Sequence, residues 1–144
     1  MQLHRVKKES PIPIMADECC SDDHDAARLI ELNACDYMNI KLGKSGGIFK
    51  ALKIARLAEQ AKIHLQVGAM IESRLAMTAF AHFALCSSNI VHFDFDTALM
   101  LKEDPVTGGI IYEKNGVVKV PNVPGLGATI AESWLNKLEK VVIS

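Results

Sequence analysis

Four short apolar runs divide the first two thirds of the chain, and each closes on a polar residue or a glycine. Ile14-Met15-Ala16 ends at Asp17, Tyr37 to Leu42 ends near Lys41, His64 to Val67 ends at Gly68, and Ile90 to Phe93 ends at Asp94. These closing residues lie 24, 27 and 26 positions apart, the length of a strand plus a crossover helix. Repeated four times, that unit predicts an α/β chain of parallel βα units with its polar groups gathered at the carboxyl ends of the strands, where such folds bind ligands.

The intervening segments read as helices. Ser21-Asp22-Asp23 is a good N-cap for a helix from about His24 to Leu32, whose Ala26, Leu29 and Ile30 form an apolar stripe. The Gly46-Gly47 turn leads into a helix from Ile48 to about Ala61, with Ile48, Ala51, Leu52, Ala55 and Ala58 on one side and Lys50, Lys53, Arg56 and Gln60 on the other. A third helix, about Arg74 to Leu85, is apolar nearly all round. Ahead of these, Leu3 to Ser10 looks like the tail of a helix that Pro11-Ile12-Pro13 cannot continue.

Beyond Asp96 the pattern changes. Ile110-Ile111-Tyr112 and Val117 to Val120 flank Asn115-Gly116, which predicts a type I′ hairpin. Pro121 to Gly127 is a connector, and a helix from about Ile130 to Leu138 presents Trp134, Leu135 and Leu138 on one face. The expected organisation is a unit of βα repeats over 1–104 and a carboxyl-terminal hairpin, connector and helix over 105–144. A complete eight-unit barrel needs about 250 residues, so the 144 present amount to roughly half of one. A half barrel exposes two sheet edges and one face of its core, so another segment or a second copy of the chain is expected to cover them, and self-association is expected.

Sixteen basic and seventeen acidic side chains, a net charge of -1, give no electrostatic footprint for nucleic acid or an anionic membrane. No apolar run approaches a membrane span, and Met1-Gln2-Leu3-His4-Arg5 does not begin a signal peptide, so the cytoplasm is the expected location. Cys19, Cys20, Cys35 and Cys86 lack CxxC spacing and read as reduced, mostly buried residues. The five histidines never recur at i, i+4, which argues against a His-based zinc site.

Lys41 ends an inward strand before a glycine turn, where a barrel enzyme would place a base; the alternative is a solvated lysine at a βα turn. Taken alone, Asp17 reads more readily as a carboxylate capping the next helix than as a ligand. Asp94 and Asp96, spaced at a period of two, share one face of an extended chain while Phe93 and Phe95 share the other. Two carboxylates facing a cavity repel unless a cation lies between them, and a substrate ammonium would serve. The alternative for this pair is a strand cap that salt-bridges a neighbour such as Arg74. Glu72 either orients Lys41 or, the preferred reading, pairs with Arg74.

Pro13-Ile14-Met15-Ala16-Asp17-Glu18, Asn39-Ile40-Lys41-Leu42-Gly43-Lys44-Ser45-Gly46-Gly47, Val67-Gly68-Ala69-Met70-Ile71-Glu72-Ser73 and Phe93-Asp94-Phe95-Asp96 occur in that order. Together they resemble the carboxyl-terminal half of the enolase superfamily, in its muconate-lactonising branch, and most closely the epimerases of L-Ala-D/L-Glu and related dipeptides. The resemblance implies the second half of a modified (β/α)7β TIM-like barrel, about strands 5 to 8, and a Mg2+-dependent 1,1-proton transfer next to a carboxylate. It makes Asp17 the last of three metal carboxylates and Lys41 the acid/base on the sixth strand, its pKa lowered toward working pH by the metal and a second cation. It gives Asp94 and Asp96 to the amino terminus of a small dipeptide substrate, and Ala69 and Met70 to the pocket wall. Muconate cycloisomerase and o-succinylbenzoate synthase act on anions without an ammonium, so the acidic pair disfavours them.

By the same resemblance, the first two metal carboxylates and the Lys-x-Lys partner on the second strand precede Met1. The chain alone is then expected to be inactive, its missing half being the partner. A different class of reading makes it a non-catalytic half barrel that buries its edges by pairing with itself.

Overall fold

The computed structural model describes residues 2–141. Helix α1, Gln2–Glu9, precedes three consecutive strand-helix pairs: β1 Met15–Ala16 and α2 Asp23–Glu31, β2 Tyr37–Ile40 and α3 Ile48–Gln60, β3 His64–Val67 and α4 Arg74–Ala84. Strand β4, Ile90–Phe93, completes a sheet of order β1-β2-β3-β4 in which every neighbour is parallel. Sequence order equals spatial order, so the residues that follow the four strands stand side by side along one edge.

The helices form for the reasons their sequences supply. Asp22 caps α2 by accepting from the Asp25 N–H at 2.9 Å, and Asp25 returns the favour to the Ser21 N–H at 3.0 Å. These two bonds satisfy donors that a helix start leaves unpaired. In α3 the buried stripe is Ala51, Ile54, Ala55 and Ala58, at the i, i+3, i+4, i+7 spacing of one face. Ile48, expected in that stripe, is half exposed, and Ile54 fills the core instead. Helix α4 buries Met77, Thr78, Phe80, Ala81, Phe83 and Ala84, as an almost wholly apolar helix must. Met38, Ile40, Leu65 and Val67 fill the sheet's share of the same core.

The carboxyl-terminal quarter departs from expectation in three places. The hairpin exists, with β6 Ile111–Tyr112 paired antiparallel to β7 Val118–Lys119. Asn115 and Gly116 take the left-handed backbone (φ 66° and 76°) that a type I′ turn demands. The register is wider, however: Tyr112 faces Val118, and the Glu113 N–H donates to Val117 O at 2.8 Å, leaving a three-residue loop, Lys114–Gly116. Secondly, β5 Val106–Gly108 pairs antiparallel with β8 Ala128–Ile130. Thirdly, the expected helix from Ile130 shortens to α5, Glu132–Leu135, because Ile130 is spent in that strand; residues 142–144 lie outside the described residues.

Arg74 holds this segment to the first turn of α4. Its guanidinium pairs with Asp104 at 2.5 Å and donates to the carbonyls of Val106, Gly108 and Ile110. Arg74 is therefore not the partner of Glu72 or of the Asp94–Asp96 pair, as the sequence had suggested; its planar fork is filled by one carboxylate and three backbone oxygens.

Candidate active site

Every candidate residue sits one or a few positions past a strand. Asp17 follows β1, Lys41 follows β2, Gly68, Ala69 and Met70 follow β3, and Asp94 and Asp96 follow β4. The sheet order brings them to the same edge. Backbone bonds across that edge fix their spacing, from the Gly68 N–H to Ile40 O and from the Asp94 N–H to Val67 O, each 2.9 Å.

At one end of the row the Lys41 ammonium lies 3.0 Å from Asp17 Oδ2 and 3.1 Å from Glu18 Oε1. The lysine is 7% exposed, so it is not the solvated turn residue that was its alternative. Burial alone would lower its pKa, but the hydrogen bonds and charges of Asp17 and Glu18 win, holding it above the usual lysine value. Two carboxylates at hydrogen-bonding distance set that direction, whereas the lowering implied by the resemblance comes from a bound metal and a second cation. Asp17 moves the complementary way: burial would raise it, and the bonds from Lys41 and Lys44 bring it below its ordinary value.

Two residues of the quoted stretch to which the sequence assigned no role complete this end. The Lys44 ammonium donates to Asp17 O at 2.6 Å, to Asp17 Oδ1 at 3.0 Å and to Asn39 O at 3.1 Å. Asn39, buried in β2 two residues before Lys41, donates from Nδ2 to Asp17 Oδ2 at 3.2 Å. Among the described residues its Oδ1 has no hydrogen-bond partner, nor have Ser45 Oγ and Glu72 Oε2. The available signal for Asn39 was a polar residue on the Lys41 face of an otherwise apolar strand; for Lys44 none was visible, since a turn lysine normally faces water.

At the other end, the charge of Asp96 acts on Asp94, while Phe93 and Phe95 lie with ring centres 5.9 Å apart. Burial, then the hydrogen bond and the charge of Asp96, push the Asp94 carboxyl above its usual range. No lysine, arginine or histidine nitrogen lies within 4.0 Å of either carboxylate among the described residues. Between the two ends, Ala69 is 9% exposed and Met70 48% exposed. Burial raises the Glu72 carboxyl; its Oε1 would lie 4.0 Å from a Cβ built on Gly43, in the turn after Lys41, and Arg74 binds Asp104 and three carbonyls instead.

A hard divalent cation takes oxygen ligands. Asp17 offers a carboxylate of that kind, one third exposed and held in place by Lys41, Lys44 and Asn39. It fits as one ligand among several, and no cluster of three or more His, Cys, Asp or Glu able to hold a metal exists among the described residues. Among the described residues no helix is long and apolar enough to cross a membrane.

Residues 1–134 match the model of the family described as Enolase C-terminal domain-like. Over 142 residues, 99% of the chain, the sequence is 51% identical to the D-Ala-D/L-Ala epimerase of Cytophaga hutchinsonii, of which it covers 39%. It is 44% identical over 125 residues, 87% of the chain, to the L-Ala-D/L-Glu epimerase of Bacillus subtilis, covering 34% of that protein. The crystal structure of a dipeptide epimerase from Cytophaga hutchinsonii complexed with Mg and the dipeptide D-Ala-L-Val superposes with a TM-score of 0.94 at 52% identity, over 96% of this chain and 38% of that one. The chain thus spans under two fifths of the length of these relatives.

Proposed function

Because the chain belongs to the Enolase C-terminal domain-like family, and its four parallel strands with their crossover helices correspond to the carboxyl-terminal half of that family's barrel, we propose that it carries one wall of a Mg2+-dependent dipeptide epimerase site. The observation that carries the reading is the acidic couple Asp94 and Asp96, without a basic partner among the described residues, at the same sheet edge as the Asp17–Lys41 pair.

Removing a proton from carbon next to a carboxylate places a second negative charge on that group. Bound Mg2+ supplies the positive charge that neutralises it, and Asp17 would be one of its oxygen ligands. Lys41 carries the proton. Its ammonium has two carboxylate acceptors in the chain and three N–H groups to offer, leaving one direction for a substrate carbon. In the resting pair with Asp17 and Glu18 the nitrogen is held protonated, the form that returns a proton. To act as base it must lose part of that carboxylate partnership.

Asp94 and Asp96 receive the α-ammonium of the dipeptide, which relieves their mutual repulsion and fixes the register of the substrate. Gly68, Ala69 and Met70 form the floor between proton carrier and ammonium clamp. Inversion needs a second acid/base on the opposite face of the substrate, and we assign it, with the remaining metal carboxylates, to the part of the barrel that this chain does not span. The chain by itself is accordingly expected to show no epimerisation with Mg2+.

A chimera tests the reading: this chain replaces the matching segment of the Cytophaga hutchinsonii epimerase. It should epimerise Ala-Ala or Ala-Glu dipeptides and fail on the same dipeptides acetylated at nitrogen. Equal use of free and acetylated dipeptides would remove Asp94 and Asp96 from ammonium binding.

A further inference from the structure

We propose that Lys44 is a positioning residue that locks the Asp17 side chain in one rotamer, so that its carboxylate is already aimed at the Lys41 end of the site before any ligand arrives. The functional meaning of that lock rests on the proposed role of Asp17 as a metal ligand, but the lock itself is a property of the chain.

The turn after β2 makes it possible. The Ser45 N–H donates to Lys41 O at 2.9 Å and the Gly47 N–H to Leu42 O at 2.8 Å, and Gly46 and Gly47 take φ of 73° and 95°, which glycine adopts without strain. This curl turns Lys44 back over the strand end toward β1. Its side chain is only 8% exposed, a costly position for an ammonium unless every proton is accepted. Three acceptors meet its three N–H groups: Asp17 O, Asp17 Oδ1 and Asn39 O.

Two of those acceptors belong to the same residue. A single nitrogen bound to both the backbone carbonyl and the side-chain oxygen of Asp17 closes a ring across its χ1 bond, and rotation would break one of the two contacts. Oδ2 is thereby presented to Lys41 and Asn39 at 3.0 Å and 3.2 Å. Lys44 has no proton left to share, whereas Lys41 has two carboxylate acceptors for three. The two lysines, three residues apart, divide the work: one fixes the carboxylate and the other stands beside it with capacity to spare. A carboxylate held in this way loses no rotamer freedom on meeting a cation or substrate.

The experiment is NMR of the full 144-residue chain in the absence of metal. In the unmodified chain the Lys44 ammonium should give slowly exchanging 1H–15N signals with scalar coupling across the hydrogen bond to the Asp17 carboxyl carbon, and the Asp17 Hα–Hβ couplings should report a single χ1. Lys44→Met, which keeps the apolar stem, should lose that single rotamer while the remaining amide spectrum stays folded. Lys53→Met, at a lysine that pairs with Asp23 at 3.7 Å, should leave Asp17 unchanged. A Lys44 ammonium that exchanges like a free surface lysine, or Asp17 couplings unaltered in Lys44→Met, would overturn the proposal. Without metal in the sample, these outcomes are independent of whether Asp17 proves to bind one.

Discussion

A Cβ built on Gly68 would lie 2.3 Å from Asn39 Oδ1 and 2.6 Å from Nδ2. The glycine after β3 is therefore what admits the asparagine of β2, and through it the bond from Asn39 to Asp17. Gly68→Ala should destabilise the chain by about 1–3 kcal/mol, the usual cost of overpacking. In an Asn39→Ala background the same change should cost far less, because the clash is with that side chain. A double-mutant cycle by urea unfolding measures it, and additive effects would contradict the relationship.

Asp94→Asn should make the fold more stable at neutral pH. The folded-state pKa of Asp94 lies above its ordinary 3.8, so folding is favoured with the proton bound, and that contribution is lost as pH rises through the folded value. Asparagine removes the dependence. Its advantage should be absent below the ordinary carboxylate range, grow as pH climbs past the raised value and then stay constant, at less than about 1 kcal/mol given solvent screening. Thermal melts from pH 3 to 7 read it. In the chimera the same substitution should weaken dipeptide use far more than metal binding, an exchange of activity for stability.

Alkylation should divide the cysteines in two. Burial pushes the Cys20 and Cys35 thiols up to about 12 and about 11, so almost no thiolate forms there near neutrality, and thiolate is the reactive species. Cys19 and Cys86 are exposed. Iodoacetamide at pH 8 should add two groups to the native chain and four after unfolding, as read by mass spectrometry; a third adduct on the native chain would contradict the burial.

Arg74→Lys should release the carboxyl-terminal segment. A lysine cannot reproduce the fork that binds Asp104 and three carbonyls, and the loss should be about 1.5–3 kcal/mol, the range for bonds to a charged group. Hydrogen exchange of the Gly109 and Ile110 amides, which donate to Gly127 O and Thr78 Oγ1, should accelerate before that of β2 and β3.

The parallel core was legible because each βα unit announces itself twice, by a strand that stops on a polar group or a glycine and by a helix that is apolar on one face or, in the third, nearly all round. Asp17, Lys41 and Asp94 were legible for the same reason. Strands β5 and β8 were not: three residues each cannot show an alternation, and their pairing joins positions about twenty residues apart. Ile130 was absorbed into the helical pattern of Trp134 and Leu135, and Ala128 and Thr129 were left unassigned between it and the connector. Lys44 was missed because its burial follows from the curl of the glycine turn, and Glu72 was assigned to Arg74 because sequence proximity says nothing about the carbonyls that claim that guanidinium.

The most direct measurement follows the α-proton of a dipeptide in D2O with the chimera carrying either Lys41 or Lys41→Ala. With Lys41 present, deuterium should enter the α-carbon from both epimers as they interconvert. With Lys41→Ala, interconversion should stop and any remaining exchange should be confined to one epimer, with Mg2+ and dipeptide still bound. Undiminished epimerisation by Lys41→Ala would show that the proton is carried by another group.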